Sequence, residues 1–369
     1  MSQLVRALGM MSGTSMDGID LAVIETDGKT VVRTGATSFR PYKDKERAAI
    51  RAALADARQV AGRSERTDAM REAEEVVTAA HAEIVRNFQS RCRESLLPLD
   101  VIGFHGQTVF HDPARRLTIQ LGDADRLAAE IGVPVVTDLR IADVEAGGEG
   151  APLVPVYHRA MAQSAGLEPP LAIVNIGGVA NATWIGPDES DLIAFDTGPG
   201  NALIDDCVHR RTGADMDRGG SLAAKGAVDE DLVAGWLANP YFTRTPPKSL
   251  DRDAFTCKGA DDLSLEDSCA TLAAFTATSI AKGISLLEGG VKQIVVVGGG
   301  AHNPVLLSML EHRCGVPVRT GDAIGWDSDF VEAQAFAYLA VRSLKGLAIT
   351  FPGTTGVPGP LTGGRLARP

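Results

Sequence analysis

At 369 residues with 44% hydrophobic content, the chain is long enough for two domains that each bury a core. Its 47 Asp and Glu exceed its 36 Lys and Arg, a net charge of −11. No basic cluster offsets this, which argues against nucleic acid or an anionic membrane surface as a partner. No run of about 18 apolar residues predicts a membrane span. The N-terminus enters a strand without a charged, apolar and cleavable leader, and Cys92, Cys207, Cys257, Cys269 and Cys314 form no C-x-x-C pair. Reduced thiols in a cytoplasmic protein are therefore expected.

Taken in chain order, residues 4–25 read as strand, tight turn, strand. The segment Ser12-Gly13-Thr14-Ser15-Met16-Asp17-Gly18-Ile19-Asp20 carries bare backbone N–H groups and hydroxyls able to approach a phosphate. Asp17 and Asp20 stand where a magnesium ion or an attacking hydroxyl can be held. The plain alternative is an ordinary hairpin with Gly and Ser at its bend. Gly28-Lys29-Thr30 matches the tail of a Walker A loop, but Val23 occupies the place of its first glycine. Asp27-Gly28 reads better as a turn into a strand at 30–34. Residues 43–95 read as two helices. A short buried strand at 101–105 ends in the turn Gly106-Gln107-Thr108. Residues 117–120 form a strand, 123–131 a helix closed by Gly132, and 133–137 another strand.

The second half begins near Asp138. Residues 171–186 repeat the strand, glycine turn, strand design, with Gly177 and Gly178 at the bend and Asn181 beyond it. A strand at 191–195 leads into Asp196-Thr197-Gly198-Pro199-Gly200-Asn201, then a helix at 202–211 with Asn201 as N-cap. Ser264-Leu265-Glu266-Asp267 resembles a capping box before a long helix ending near Gly289-Gly290. A buried strand at 291–297 ends in Gly298-Gly299-Gly300, and 330–344 form an apolar helix. The tail at 351–365 is rich in Gly, Pro and Thr and has no assigned structure. Alternating strands and helices argue an α/β fold. The expected domains are residues 1–138 with 345–369, and residues 139–344.

Several polar, glycine-rich elements follow strands, at 12–18, 177–181, 196–201 and 298–303, where open α/β sheets bind ligands. A dinucleotide fingerprint at 298–303, with Asp322 as the ribose acid, would need glycine where Asn303 stands; Pro304 suits a first helical turn. Asp196 is placed to take a proton from water or a sugar hydroxyl, or else merely to satisfy N–H groups at a helix start. Glu332 is a lone acid on an apolar helix, more often a solvated position than a site residue. His105, His111 and Asp112 match no zinc spacing, so a structural or substrate-contacting histidine is favoured. Asp138, Arg140 and Asp143 precede the loop Gly147-Gly148-Glu149-Gly150-Ala151-Pro152, as a ligand-binding cluster or a salt-bridge set.

Together these stretches resemble the anhydro-N-acetylmuramic acid kinase family, within the sugar kinase, heat-shock ATPase and actin superfamily. The matches run in order: Gly9-Met10-Met11-Ser12-Gly13-Thr14-Ser15-Met16-Asp17-Gly18-Ile19-Asp20, His105-Gly106-Gln107-Thr108, Gly148 to Pro155, Asn175 to Asn181, Phe195 to Asn201 and Gly298 to Asn303. The resemblance implies a two-domain actin-like ATPase fold with ATP in the interdomain cleft and Mg²⁺ as cofactor. The opening loop would hold the β- and γ-phosphates, with Asp17 and Asp20 toward the metal. The turn at Gly177, Gly178 and Asn181, with Gly198 and Gly200, would form the second phosphate site, and Gly298, Gly299, Gly300 and Asn303 would line the adenosine. His105, Gln107, Thr108, Arg140, Gly150 and Ala151 would face the sugar. Asp196 would be the general base and Glu332 a second acid. The implied reaction opens the 1,6-anhydro ring of 1,6-anhydro-N-acetylmuramic acid and phosphorylates O6, in cell-wall sugar recycling by a homodimer. Arg140-Ile141-Ala142 has a single Arg where the family carries a basic run. Another sugar kinase of this fold, or a nucleotide-gated sugar sensor, are the alternative readings.

Overall fold

The computed structural model describes residues 3–13, 15–91, 98–250 and 254–369. Thr14, Cys92 and the expected helix end at Ser95 lie outside the described residues. The chain opens with an antiparallel meander of β1 (Val5–Ser12), β2 (Gly18–Thr26) and β3 (Val32–Pro41). The bend between β2 and β3 is an Asx turn. Asp27 Oδ1 accepts the N–H groups of Lys29, Thr30 and Val31 at 2.9, 3.0 and 3.0 Å. Two helices follow, α1 (Asp44–Ala57) and α2 (Asp68–Arg91), then β4 (Val101–Asp112).

β4 does not stop at a turn as its sequence suggests. It runs through Gly106, whose φ of +72° opens a bulge, and the pairing with β1 shifts register between Met10 and Ser12. A side chain there would meet Leu121 O at 2.8 Å, so glycine lets the strand continue instead of ending it. β5 (Leu117–Leu121) folds back on β4. α3 (Ala124–Ile131) is closed by Gly132 as expected, with Asp123 as its N-cap and not its first helical residue, and β6 (Val135–Thr137) lies parallel to β4. α4 (Ile141–Glu145) and α5 (Pro155–Ser164) complete this stretch.

The next stretch repeats the design. β7 (Leu171–Ile176), β8 (Val179–Ile185) and β9 (Leu192–Pro199) form a meander, followed by α6 (Ala202–Thr212), α7 (Glu230–Leu237) and α8 (Leu265–Ser285). β10 (Ile294–Val297) pairs parallel with β7, and after α9 (Pro304–Cys314), β11 (Val318–Thr320) pairs parallel with β10. β9 extends past Phe195, so Asp196 lies inside the strand and not at its end. Ser264 caps α8 by accepting Asp267 N–H, but the Asp267 carboxylate accepts Ala227 N–H instead of closing a capping box. The final elements are α10 (Val331–Leu344), α11 (Pro352–Thr355) and β12 (Arg365–Ala367), the last pairing with β6.

One sheet runs β12-β6-β4-β1-β2-β3, with β5 on β4; the other runs β11-β10-β7-β8-β9. Each is built on a three-stranded antiparallel meander whose first strand pairs in parallel with a later one, β4 on β1 and β10 on β7. The residues group as Met1–Gly166 with Phe330–Pro369, and Leu167–Asp329. These bounds differ from the expected 138/139 and 344/345 divisions because α5 and α10 pack on the first sheet's strands. No helix of the described residues is long and apolar enough to cross a membrane.

α10 lies against the first sheet where Gly9 of β1 pairs with Gly103 of β4. A Cβ at Gly9 would fall 1.8 Å from Ala333 O, and one at Gly103 would fall 2.0 Å from Phe336 O. Helix backbone thus rests on strand backbone, which only glycine permits. In the second unit, a Cβ at Gly198 of β9 would meet Ser279 Oγ of α8 at 2.6 Å. We expect Gly103→Ala to cost about 3 kcal/mol or more, since the obstacle is main chain that cannot swing aside. Gly235→Ala in α7, with nothing within 4 Å of the new Cβ, should stabilise by about 0.5–1 kcal/mol. Urea denaturation of the two variants checks both, and equal midpoints would refute the seating.

Candidate active site

In the first unit, the loop after β1 is held from behind by β4. Ser12 Oγ donates to Gly106 O at 3.0 Å, and Gln107 Nε2 donates to Gly13 O at 3.0 Å. Ser12 and Gln107 are fully buried, so their bonded groups are spent on the loop's shape. Gln107 Oε1, however, is buried with no hydrogen-bond partner, and a ligand donor would satisfy it. Thr108 accepts a bond from Gln120 Nε2 at 3.2 Å and is thereby tied to β5. Further along the loop, Met16 takes φ of +57°. Ser15 Oγ and Gly18 N–H both donate to Asp17 Oδ1, at 2.8 and 2.9 Å. Ile19 is a core residue, so only its backbone can serve a ligand; Asp20 sits in β2 beside Met11.

Around β4 a second group forms. Arg140 places Nε and Nη2 at 3.2 and 3.1 Å from His105 Nε2, and its Nη1 donates to Gly150 O at 2.8 Å. Phe336 of α10 lies beneath both, 4.7 Å from the His105 ring and 6.0 Å from the Arg140 guanidinium. Burial, reinforced by Arg140, holds His105 well below the usual imidazole range, so it stays neutral and accepts from Arg140. Burial also lowers Arg140 to about 10, and the nearby charges of Glu332 and Asp143 oppose that. Glu332, in the first turn of α10, is solvent-accessible at its surface. Its carboxyl is nonetheless raised by the protein around it, with Arg140 pulling the other way. The sequence expectation of a solvated position thus holds only in part. Gly150 N–H donates to Asp143 Oδ1 at 2.7 Å, and Ala151 follows in the same loop.

In the second unit, Asn175, Asn181 and Asp196 sit side by side on β7, β8 and β9. Asp196 N–H donates to Lys248 O at 2.9 Å, Leu250 N–H donates to Asp196 Oδ2 at 2.7 Å, and Tyr241 Oη donates to Asp196 O at 2.6 Å. The 248–250 segment therefore clamps this residue, a role that sequence spacing left invisible. Burial raises the Asp196 carboxyl to about 6 against the pull of the Leu250 N–H. Burial likewise lowers Lys248 to about 8; its Nζ lies 4.6 Å from the Tyr241 ring centroid.

The glycine turns of this unit dock on one another. Asn201 N–H donates to Gly177 O at 2.7 Å and Gly200 N–H to Gly178 O at 2.9 Å. Asn201 was expected to cap α6, but it is helical at φ −78° and its Nδ2 donates instead to Ile176 O at 3.2 Å. A Cβ at Gly200 would fall 2.2 Å from Gly177 O, and one at Gly298, where φ is +77°, 2.2 Å from Asn175 Oδ1; at Gly300 it would meet Ile176 at 2.5 Å. Packing alone demands these three. By contrast a Cβ at Gly13, Gly177 or Gly299 meets nothing nearer than 3.4 Å, and none has a positive φ. Nothing inside the fold requires glycine at those places, so their bareness suits close approach by a ligand such as a phosphate. Asn303 caps α9, accepting Val305 and Leu306 N–H at 3.1 Å each. Gly220, with φ of +68°, abuts Asn303 and brings a further glycine element to this group. Among the described residues no three His, Cys, Asp or Glu side chains are grouped to hold a metal ion.

The family model described as anhydro-N-acetylmuramic acid kinase matches residues 5–367. A relative of that name from Methylobacterium nodulans is 52% identical, covering 99% of this chain and 100% of its own. One from Rhodopseudomonas palustris strain BisB18 is 53% identical over 98% and 100%, and one from Nitrobacter winogradskyi 51% over 99% and 100%. A solved activator of the 2-hydroxyisocaproyl-CoA dehydratase from Clostridium difficile aligns over 92% of this chain at 12% identity and a TM-score of 0.44, a likeness on which nothing here rests.

The raised Asp196 carboxyl has a stability consequence. Folding favours its protonated form, so its stabilising contribution is fully present below the ordinary carboxylate range and is lost as pH rises through about 6. Asp196→Asn should therefore stabilise the protein by about 1–2 kcal/mol at pH 7.5 and by almost nothing near pH 4. Thermal denaturation at the two pH values tests this; a gain independent of pH would contradict it.

Proposed function

The chain belongs to the anhydro-N-acetylmuramic acid kinase family, and from that membership we propose that it opens the 1,6-anhydro ring of 1,6-anhydro-N-acetylmuramic acid and phosphorylates the freed O6. Asp196 carries the reading: a carboxyl on a rigid strand, oriented at Oδ2 by the Leu250 N–H and poised near neutrality by burial, has the attributes of a general base. In the proposed step it accepts a proton from water as the water oxygen bonds to the anomeric carbon. The bond from that carbon to O6 breaks, O6 bonds to the γ-phosphorus, and the bond from phosphorus to the ADP oxygen breaks. The proton on Asp196 then passes to solvent, leaving N-acetylmuramic acid 6-phosphate and ADP.

The bare glycines support the placement of ATP: Gly13 in the opening loop for the β- and γ-phosphates, Gly177 in the second phosphate turn, and Gly299 toward the adenosine. Asp17, whose Oδ1 already accepts two bonds, and Asp20 would hold Mg²⁺, which when bound would neutralise charge on the phosphates. Arg140 has guanidinium N–H groups beyond those spent on His105 and Gly150. These suit the lactyl carboxylate of the sugar, with the orphaned Gln107 Oε1 taking a sugar hydroxyl. Glu332 would act beside them as the second acid.

A coupled ADP-release assay with Mg-ATP, comparing 1,6-anhydro-N-acetylmuramic acid with N-acetylmuramic acid and N-acetylglucosamine, tests the reaction. We expect ADP only with the anhydro sugar; release with the others would change the substrate, and none at all would favour a sensor. Asp196→Asn should lower kcat by about 10²–10⁴-fold while ATP still binds. Because the base works ionised, wild-type turnover should fall as pH drops through about 6. A variant keeping more than about a tenth of wild-type kcat would remove Asp196 from that role.

A further inference from the structure

We infer that Thr355, in the Gly- and Pro-rich C-terminal tail, is a positioning residue that holds Arg140 in place through the Asp143 carboxylate and the Gly150 peptide. The inference rests on the proposed sugar-kinase reading and gives the tail a part in it. Thr355 Oγ1 donates to Asp143 Oδ2 at 2.6 Å, while Asp143 Oδ1 accepts the Gly150 N–H at 2.7 Å. On the other side of that residue, Gly150 O accepts Arg140 Nη1 at 2.8 Å, and Arg140 reaches His105. Thr355 also binds the loop through its own backbone, its O accepting Glu149 N–H at 2.7 Å. Gly150 is thus fixed at both its N–H and its C=O, and the guanidinium lies at the end of the relay.

Two features set this apart from a loop that happens to be tied down. Thr355 is 0% and Asp143 1% exposed, and a buried carboxylate is retained only where donors satisfy it. The loop also has one available path. A Cβ at Gly148 would fall 2.2 Å from Asp143 Oδ1, and Gly150 has φ of +65° with Val144 at 2.4 Å from its would-be Cβ. Both glycines, the carboxylate and the tail hydroxyl therefore fix one loop geometry. The side chain that this geometry aims is Arg140, which donates to the loop and to His105 at once. A shift of the Gly150 carbonyl would turn the guanidinium away from a sugar carboxylate without disturbing residues that meet the nucleotide.

The test compares wild type with Thr355→Val and Thr355→Ser, measuring KM for 1,6-anhydro-N-acetylmuramic acid, KM for ATP, kcat and thermal midpoint. We expect Thr355→Val to raise the sugar KM about tenfold with kcat and ATP KM within about twofold, and Thr355→Ser, which keeps the hydroxyl, to restore it. In an Arg140→Lys background, Thr355→Val should raise the sugar KM no further. Thr355→Ala replaces the valine variant if valine prevents folding. An unchanged sugar KM, equal changes in both KM values, or additivity with Arg140→Lys would overturn the inference. A wild type that neither turns over nor, by calorimetry, binds the sugar would instead sink the functional reading, and the inference with it.

Discussion

The contact of α10 with the Gly9 and Gly103 pair is the constraint on which the arrangement of the first unit's candidate site depends. Because the strands there carry no side chains, the helix backbone comes down onto the sheet. That depth fixes what the helix's first two turns present. Glu332 emerges in the first turn, where the charge of Arg140 acts on its carboxyl. Phe336, whose carbonyl rests on Gly103, slides beneath His105 and Arg140 as a common floor. A helix standing off by one methyl group would lose that floor. Backbone-to-backbone packing is stiff, which is what a site requires of its support.

Two carboxylates show how burial can serve opposite ends. Asp143 is enclosed with donors on both oxygens, from Gly150 N–H and Thr355 Oγ1, and so acts as a fixed acceptor. Asp196 is half-buried with a backbone N–H on Oδ2, and desolvation outweighs that bond and raises its carboxyl to about 6. The first arrangement shapes a loop. The second leaves a group able to gain or lose a proton near neutrality, which is a cost to the fold and a resource for chemistry.

Glycines recur in both sheets, but for different reasons. Gly103 and Gly198 admit a helix against a strand, and Gly200, Gly298 and Gly300 let neighbouring turns nest. Gly13, Gly177 and Gly299 answer to neither need. Sorting glycines by what a Cβ would strike separates positions that packing requires from positions it leaves open, which composition and motif matching treat alike.

Much of the fold was legible from local signals. The Gly132 close of α3, the Asp27 turn and the helix at 331–344 follow from side-chain preferences acting over a few residues. Motif order likewise identified the family and located the glycine turns, because close main-chain packing constrains residue type at fixed spacing. Local signals failed where tertiary contacts overrode them. Gly106 reads as a turn but is a bulge, since pairing with β5 carries β4 onward. Asn201 reads as a cap but bonds to the turn before it. The domain bounds moved because α5 and α10 pack on the first sheet. The sequence by itself determined which elements form and which residue types can do chemistry. Only the tertiary structure decided that Leu250 would clamp Asp196 and that Thr355 would reach Asp143 across 212 residues. Such partners are chosen by proximity after folding, and neither periodicity nor spacing along a chain encodes it.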